Sequence, residues 1–439
     1  MKIFFLLFIT VVISFSGCSD KKKSENGKIT ITFWHSFVSR TIPAFNDLIE
    51  WYEKENPDIK IVAQYVPSGD PLIQKLITAI QSNTAPDISW LHSDFLHKLV
   101  GADAIYKMDH FINGPDGLNE EEMKDIFPQS LQSAKWRDTL YSMPMEATTL
   151  ALIYNKNKFK ESGLDPEKPP KDWDELFDYA VKLTKDKDGD GKIDQYGFYI
   201  PAFPASGPLS VWMVLQWTPF LWQAGGIEIN EDQTKVLFNS DAGVQALALW
   251  KKIFEAEKFY NFTLTHDLGF ISGTIAMIMD GPWDLPEFRE IKNFEWGVTY
   301  LPAGPVKRAT YMAGEHLAVF KQSKHPDEAW KFIKWILRPD VQAKFSEESG
   351  YLPIRKSVLE LPGYKKFLEN DPAMKSFVDQ IEISMARASI DFFRVEINQN
   401  IAEAVEKAII GNQDIKTILG QAAEKSNKLL QSVKKGNKK

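Results

Sequence analysis

The sequence predicts an α/β fold divided into two lobes. Strand-type and helix-type segments alternate from about residue 28 onward, which implies mostly parallel sheets with helices on both faces. The chain has 439 residues, more than one hydrophobic core organises, since single cores stop growing at roughly 250–300 residues. A hydrophobic content of 44% with 25% charged residues fits a globular chain rather than a disordered one.

Residues 28–34 alternate strictly and predict the first strand. Residues 43–56 place Phe45, Leu48, Ile49 and Tyr52 at helical spacing and stop before Pro57. A second strand is expected over 59–65, a second helix over 72–82 and a short strand over 87–90, after which Asp94 reads as a helix cap. Residues 145–154 are apolar and extended. Asp172 and Glu175 resemble a capping box for a helix over 173–185. Residues 202–222 hold Trp212, Trp217 and Trp222 among several prolines and do not read as a helix face. Ser240 caps a helix to about Glu257, and a buried strand over 274–279 leads into Gly281-Pro282-Trp283. Strands follow over 296–301 and 315–320. Paired helices over 326–337 and 339–348 end at Gly350, a helix stop. Residues 381–410 read as mostly helical, and a last helix starts near Asp414.

Lys2, an apolar run over 3–15 and Ser16-Gly17 form an export signal. The run is too short to span a bilayer, which takes about 20 apolar residues. Cys18 is the sole cysteine, so a disulfide framework is excluded. Phe15-Ser16-Gly17-Cys18 resembles the lipobox of bacterial lipoproteins. That implies removal of residues 1–17, acylation of Cys18 and anchoring at the outer face of the cell membrane. Residues 18–27 read as a tether, in which Lys21, Lys22 and Lys23 can touch anionic headgroups, and residues 433–439 as a basic tail. A net charge of −7 without a basic stripe argues against nucleic acid as a partner.

Several segments recur in a familiar order: Thr84-Ala-Pro-Asp-Ile88, Leu152-Ile-Tyr-Asn-Lys156, Trp173-Asp-Glu-Leu176, Gly273-Thr-Ile-Ala-Met277, Gly281-Pro-Trp283, Trp296-Gly-Val298, Asp327-Glu-Ala-Trp330 and Tyr351-Leu-Pro-Ile354. In this the chain resembles the extracellular solute-binding proteins of ABC importers, in the sugar-serving, maltodextrin-binding-protein-like branch. The resemblance implies a type II periplasmic-binding-protein-like fold, two α/β lobes around a ligand cleft with hinge crossovers. Lobe 1 is expected over 28–145 plus 300–338 and lobe 2 over 150–295 plus 345–432. The crossovers fall near 144–149, Tyr300 and 338–344. The implied partners are a carbohydrate and the permease subunits, with the protein acting as a monomer.

A sugar offers apolar C–H faces and polar edges, so its site needs flat aromatic rings and fixed polar groups. In open α/β sheets such groups sit just past the carboxyl ends of strands. This picks out Trp34 and His35 after the first strand, and Trp90, His92 and Asp94 after the third. It also picks out Glu146 at the crossover, Trp283 and Asp284 after a buried strand, Gly314 and Glu315 before another, and Tyr351. Trp212 or Trp217 can supply a stacking ring from lobe 2, and the resemblance adds Phe393 and Arg394, the latter also readable as a surface ion-pair partner. Charged cleft residues are expected to stay ionised.

Asp186, Asp188 and Asp190 stand at positions 1, 3 and 5 of an EF-hand-like loop, with Gly191 at the sharp turn, the Lys192 carbonyl next and Asp194 at position 9. Gly197 occupies the place of the bidentate Glu. The loop is either a structural calcium site needing an acid from elsewhere or a plain surface turn; no cofactor is otherwise required. A secreted glycosidase would need two carboxylates about 5–9 Å apart, which Glu146, Asp94 and Asp284 could offer. The sequence lacks GxSxG, HExxH, P-loop and GxGxxG patterns. A tethered adhesin leaves the strand-end tryptophans unexplained. The binder reading is therefore preferred, with a polyol or a glycerol phosphoester as alternative solutes. Replacing Cys18 by Ser should release the protein to the medium with its ligand affinity intact, as fractionation and a binding assay would show.

Overall fold

The computed structural model describes residues 27–201, 208–258, 264–387 and 393–436. The signal, Cys18, the Lys21–Lys23 cluster and the last three residues of the tail lie outside them. Among the described residues the strands are β1 Ile29–His35, β2 Ile59–Tyr65, β3 Ile88–Leu91, β4 Lys135–Trp136, β5 Thr139–Leu140, β6 Met143–Pro144, β7 Thr148–Thr149, β8 Ala151–Asn155, β9 Tyr196–Phe198, β10 Ile275–Asp280, β11 Trp296–Thr299, β12 Thr310–Ala313, β13 His316–Val319 and β14 Ser384–Met385.

Two sheets define two lobes. The first has the order β2-β1-β3-β13-β6. Its β2, β1 and β3 are parallel, and β13 runs against both of its neighbours. The second has the order β11-β8-β10-β9, in which β8 runs against β11 and β10 while β10 and β9 are parallel. All residues of β8 and β10 are buried, as expected of continuous apolar strands covered on both faces. Between the lobes a small sheet, β14-β12-β7, carries the chain crossings. The hairpin β4-β5 stands apart.

The helices follow their apolar spacing. Helix Ile42–Glu55 buries Ala44, Phe45, Leu48, Ile49 and Tyr52 against the first sheet. Before helix Trp173–Leu183, the Asp172 carboxylate accepts from the Glu175 N–H at 2.9 Å, while the Glu175 carboxylate accepts from Lys171 rather than from Asp172. No helix among the described residues is long and apolar enough to cross a membrane.

Four expectations are corrected. Trp212, Trp217 and Trp222 lie on one helix, Pro208–Gln223, which tolerates Pro219 in its interior; prolines near a segment do not forbid a helix that begins with one. Among the described residues of 381–410 the α-helix covers Arg394–Ile409, whereas Gln380–Ile383 forms a 3-10 turn and β14 pairs with β12. The last helix, Ile415–Gly436, runs into the segment read as a basic tail. Finally, helix Pro339–Ser349 packs against Ile42–Glu55. The Arg355 guanidinium donates to Asp125 at 2.7 Å, and the Phe127 N–H donates to the Ile354 carbonyl at 2.9 Å. Residues 339–357 therefore belong with lobe 1. The chain reaches lobe 2 only at helix Pro372–Asp379, which packs on β11, not at 338–344. An amphipathic pattern shows that a helix is packed but not against what.

The crossings are tight. The Met145 N–H donates to the Glu315 carbonyl at 2.9 Å, and a Cβ on Gly314 would lie 1.8 Å from the Glu146 carbonyl oxygen. Gly314→Ala should therefore destabilise the protein by about 1–3 kcal/mol, the range for overpacking, seen as a lower urea midpoint.

Candidate functional site: the cleft between the lobes

A cavity of about 590 Å³ lies between the two lobes, within the 300–1,000 Å³ range of small-molecule sites. From lobe 1 it is lined by Ser36 and Arg40 after β1, Ser68 after β2, and Trp90 and His92 at the end of β3. The crossings supply Thr148, Leu150, Tyr311, Gly314 and Glu315. Lobe 2 supplies Tyr199 after β9, Trp212, His266, Asp267, and Trp283 and Asp284 in the 3-10 turn that follows β10. Tyr351 completes the wall. It is brought there by Gly350, whose φ of 84° ends helix Pro339–Ser349. A Cβ on Gly350 would lie 2.2 Å from the Pro282 carbonyl oxygen, so only glycine permits the approach.

The rings form a broken aromatic lining. Trp212 meets Trp283 edge-on with centroids 5.9 Å apart, and Trp283 meets Tyr351 at 6.3 Å. On the opposite wall Trp90 stands edge-on to His92 at 5.2 Å. Arg40 crosses from lobe 1 to pair with Asp284 and Glu287 of lobe 2. Burial, and then the neighbouring Asp280, push the Asp284 carboxyl well above its usual range, against the opposing pull of Arg40. Behind Glu315 lies Glu146, fully buried, with one oxygen accepting from the Glu315 N–H at 3.3 Å. Burial, and then the Glu315 charge, push the Glu146 carboxyl well above the usual carboxylate range, which works against the ionised form expected of the cleft acids.

Of the expected residues, Trp90, His92, Trp212, Trp283, Asp284, Gly314, Glu315 and Tyr351 line the cavity. Others do not. Trp34 lies under Lys75, with Nζ 4.3 Å from its ring centroid. His35 is buried among Phe37, Phe45 and Tyr65, where loss of water lowers its pKa to about 4. Side chains of the following helices cover the end of β1, and its cleft-facing groups come in the residues just after it, at Ser36 and Arg40. Trp217 is fully buried in the lobe 2 core. Phe393, at a positive φ of 62°, precedes helix Arg394–Ile409 and packs on the core rather than on the cavity. Sequence reasoning missed Ser36, Arg40, Ser68 and Tyr199, although the strand-end rule contains them. No local signal marks His266 or Tyr311.

Asp94 makes no helix cap and Arg394 is not at the surface; both border a small pocket of about 20 Å³ beside Tyr311 and Ala313 rather than the main cavity. Both are buried in a cluster with Glu228, Arg387 and Asn398. Arg387 donates to Glu228 at 2.9 Å and to Asp94 at 3.3 Å, Arg394 donates to Glu228 at 3.1 Å, and Asn398 donates to Asp94 at 3.1 Å. Burial raises the Asp94 and Glu228 carboxyls, but Arg387 and Arg394 outweigh it and hold both below the usual range.

The acidic turn lies on the surface of lobe 2. The Asp186, Asp188 and Asp190 carboxylates converge within 4.8 Å and are exposed. They accept backbone N–H groups from Gly189, Gly191, Asp190 and Lys192. Asp194 instead accepts from the Lys187 N–H at 2.7 Å.

Asp94→Ala would leave two buried guanidinium groups facing one carboxylate, and a loss of about 3–5 kcal/mol in urea unfolding is expected. Because both carboxyls are held low, their contribution is complete above their unfolded values of about 4 and is lost as the pH falls below them. The unfolding midpoint should therefore drop on acidification.

The sequence profile described as bacterial extracellular solute-binding protein matches residues 47–376. The chain is 26% identical over 415 residues to a binding protein of Brucella abortus (strain 2308), covering 93% of this chain and 94% of that one. It is 26% identical over 436 residues to the sn-glycerol-3-phosphate-binding periplasmic protein of Escherichia coli (strain K12), with the same coverage. Among solved structures, the cyclic α-maltosyl-1,6-maltose binding protein from Arthrobacter globiformis superposes with a TM-score of 0.77 at 26% identity, over 92% of this chain and 100% of that one. The sugar-binding protein MalE from Xanthomonas citri gives 0.76 at 24% identity, over 93% and 99%. The chain belongs to the bacterial extracellular solute-binding proteins, a family of binders, with the MalE-like two-lobed fold.

Proposed function

We propose that this protein captures a carbohydrate, an oligosaccharide rather than a single sugar, and hands it to an ABC permease while a lipid on Cys18 holds it at the outer face of the cell membrane. The observation that carries the reading is the alternation of flat rings and polar edges in the cavity. Trp90, Trp212, Trp283 and Tyr351 offer faces, and Ser36, Ser68, His92, Thr148, Asp267 and Glu315 offer hydrogen-bonding groups. Groups on both lobes contribute, so a ligand that touches both shifts the population towards the closed form that a permease recognises. No bond is made or broken. The protein acts as a monomer and needs no resident cofactor. Calcium, where it fills the 186–194 turn, stabilises lobe 2 away from the cleft.

A glycerol phosphoester is the second reading, favoured by Arg40 in the cleft and by the likeness to the E. coli protein. Charge balance weighs against it. Arg40 is the one Lys or Arg among the described cavity residues, it is already paired, and Asp267, Asp284 and Glu315 surround the same space. The test is a thermal-shift and tryptophan-fluorescence screen of the 24–439 fragment against oligosaccharides, sugar alcohols and sn-glycerol 3-phosphate. An oligosaccharide should raise the melting temperature and change the emission without release of reducing sugar, and Trp212→Ala should weaken it by about 1–3 kcal/mol. A response to glycerol phosphate alone would overturn the carbohydrate reading, and so would silence across the whole sugar panel.

A further inference from the structure

His266, Asp280 and Asp284 meet at the lobe 2 wall of the cleft from three different elements. His266 opens helix His266–Ile271, Asp280 ends β10, and Asp284 closes the 3-10 turn Pro282–Asp284. The His266 Nε2 lies 3.2 Å from Asp280 Oδ2 and 3.7 Å from Asp284 Oδ2. All three atoms fall within 4.8 Å of one another. Both aspartates are completely buried. Their other oxygens are engaged, since Asp280 Oδ1 accepts from the Gly281 N–H at 2.8 Å and Asp284 Oδ1 accepts from Arg40. The three inward atoms are buried and make no directed hydrogen bond.

Two carboxylate oxygens turned towards each other away from water are costly unless a shared proton, a protonated His266 or a metal cation relieves them. Arg40 does not relieve them, because it sits on the outer oxygen of Asp284. One imidazole nitrogen with two carboxylate oxygens is a donor set for a first-row divalent ion, zinc above all, whereas calcium and magnesium favour oxygen alone. We propose that His266 Nε2, Asp280 Oδ2 and Asp284 Oδ2 form a zinc-type divalent metal site in the wall of the cleft. Arg40 and the Gly281 N–H then hold the outer oxygens of the two carboxylates, the role that hydrogen-bond partners behind metal ligands serve elsewhere. His266 and Asp284 both line the cavity, so the remaining coordination position faces it, open to water or to a ligand hydroxyl.

The test uses the full-length chain, purified in detergent without a histidine tag, stripped with a chelator and titrated with zinc chloride by calorimetry. A single saturable site and a higher melting temperature are expected, and cobalt should give visible absorption bands. Affinity should fall by at least about tenfold, or 1.4 kcal/mol, in Asp280→Asn, a near-isosteric change, and in His266→Gln, whose side chain reaches solvent. Asp188→Asn, in the acidic turn, should leave zinc binding unchanged. Absence of saturable binding by the wild-type chain overturns the proposal. So does binding that survives both cluster substitutions or that disappears with Asp188→Asn. The carbohydrate reading is tested separately, by the fluorescence screen.

Discussion

The two lobes are joined at the back of the cleft by four buried charges. Asp94 comes from the turn after β3 in lobe 1, and Glu228 and Arg394 come from lobe 2, with Arg387 between them. Each ion loses several kcal/mol of hydration on burial, so the cluster is tenable only while two acids and two guanidinium groups remain together. That condition ties the lobes at this point, and the other side of the cleft has a different connection. There the connection is Arg40 to buried Asp284 and to Glu287, and only the second pair is partly exposed and screened.

The crossings make the joint geometrically close. With Gly314 against the Glu146 carbonyl, no side chain separates the strands that pass between lobes. The same approach places Glu315 at the cavity and Glu146 behind it, so the backbone packing that forms the hinge also builds a polar wall of the site. Burial and the Glu315 charge raise the Glu146 carboxyl, so the two acids resist being ionised together.

How much of this was legible in the sequence depended on the range of the interaction. Strands with period-two patterns, such as β1, and helices with period-3.6 patterns, such as Ile42–Glu55, were readable within a residue or two, since burial of one face is written locally. Trp90, His92, Trp283 and Asp284 could be found because strand ends open onto clefts. Trp34 and His35 satisfied the same rule and were covered by helices, which the strand itself does not reveal. Asp94, Arg387 and Arg394 defeated local reading because their partners lie far along the chain. Asp94 looks like a cap beside a short helix, and its carboxylate finds an arginine 293 residues away. The late transfer to lobe 2 was missed for a similar reason, as the pair Arg355 and Asp125 spans 230 residues.

Strand β13 sits inside the lobe 1 sheet, between β3 and β6, yet it is synthesised after all four strands of lobe 2. The lobe 2 sheet is drawn from one continuous stretch, 151–299, whereas the lobe 1 sheet has a gap until residue 319 has emerged. The lobe 1 sheet, begun first, is thus completed after the lobe 2 sheet, although the last helices of lobe 2 follow both. Long-range pairing of this kind slows folding. For a protein of an extracellular family, a chain that stays open until most of it has been made is one that can still be threaded across a membrane.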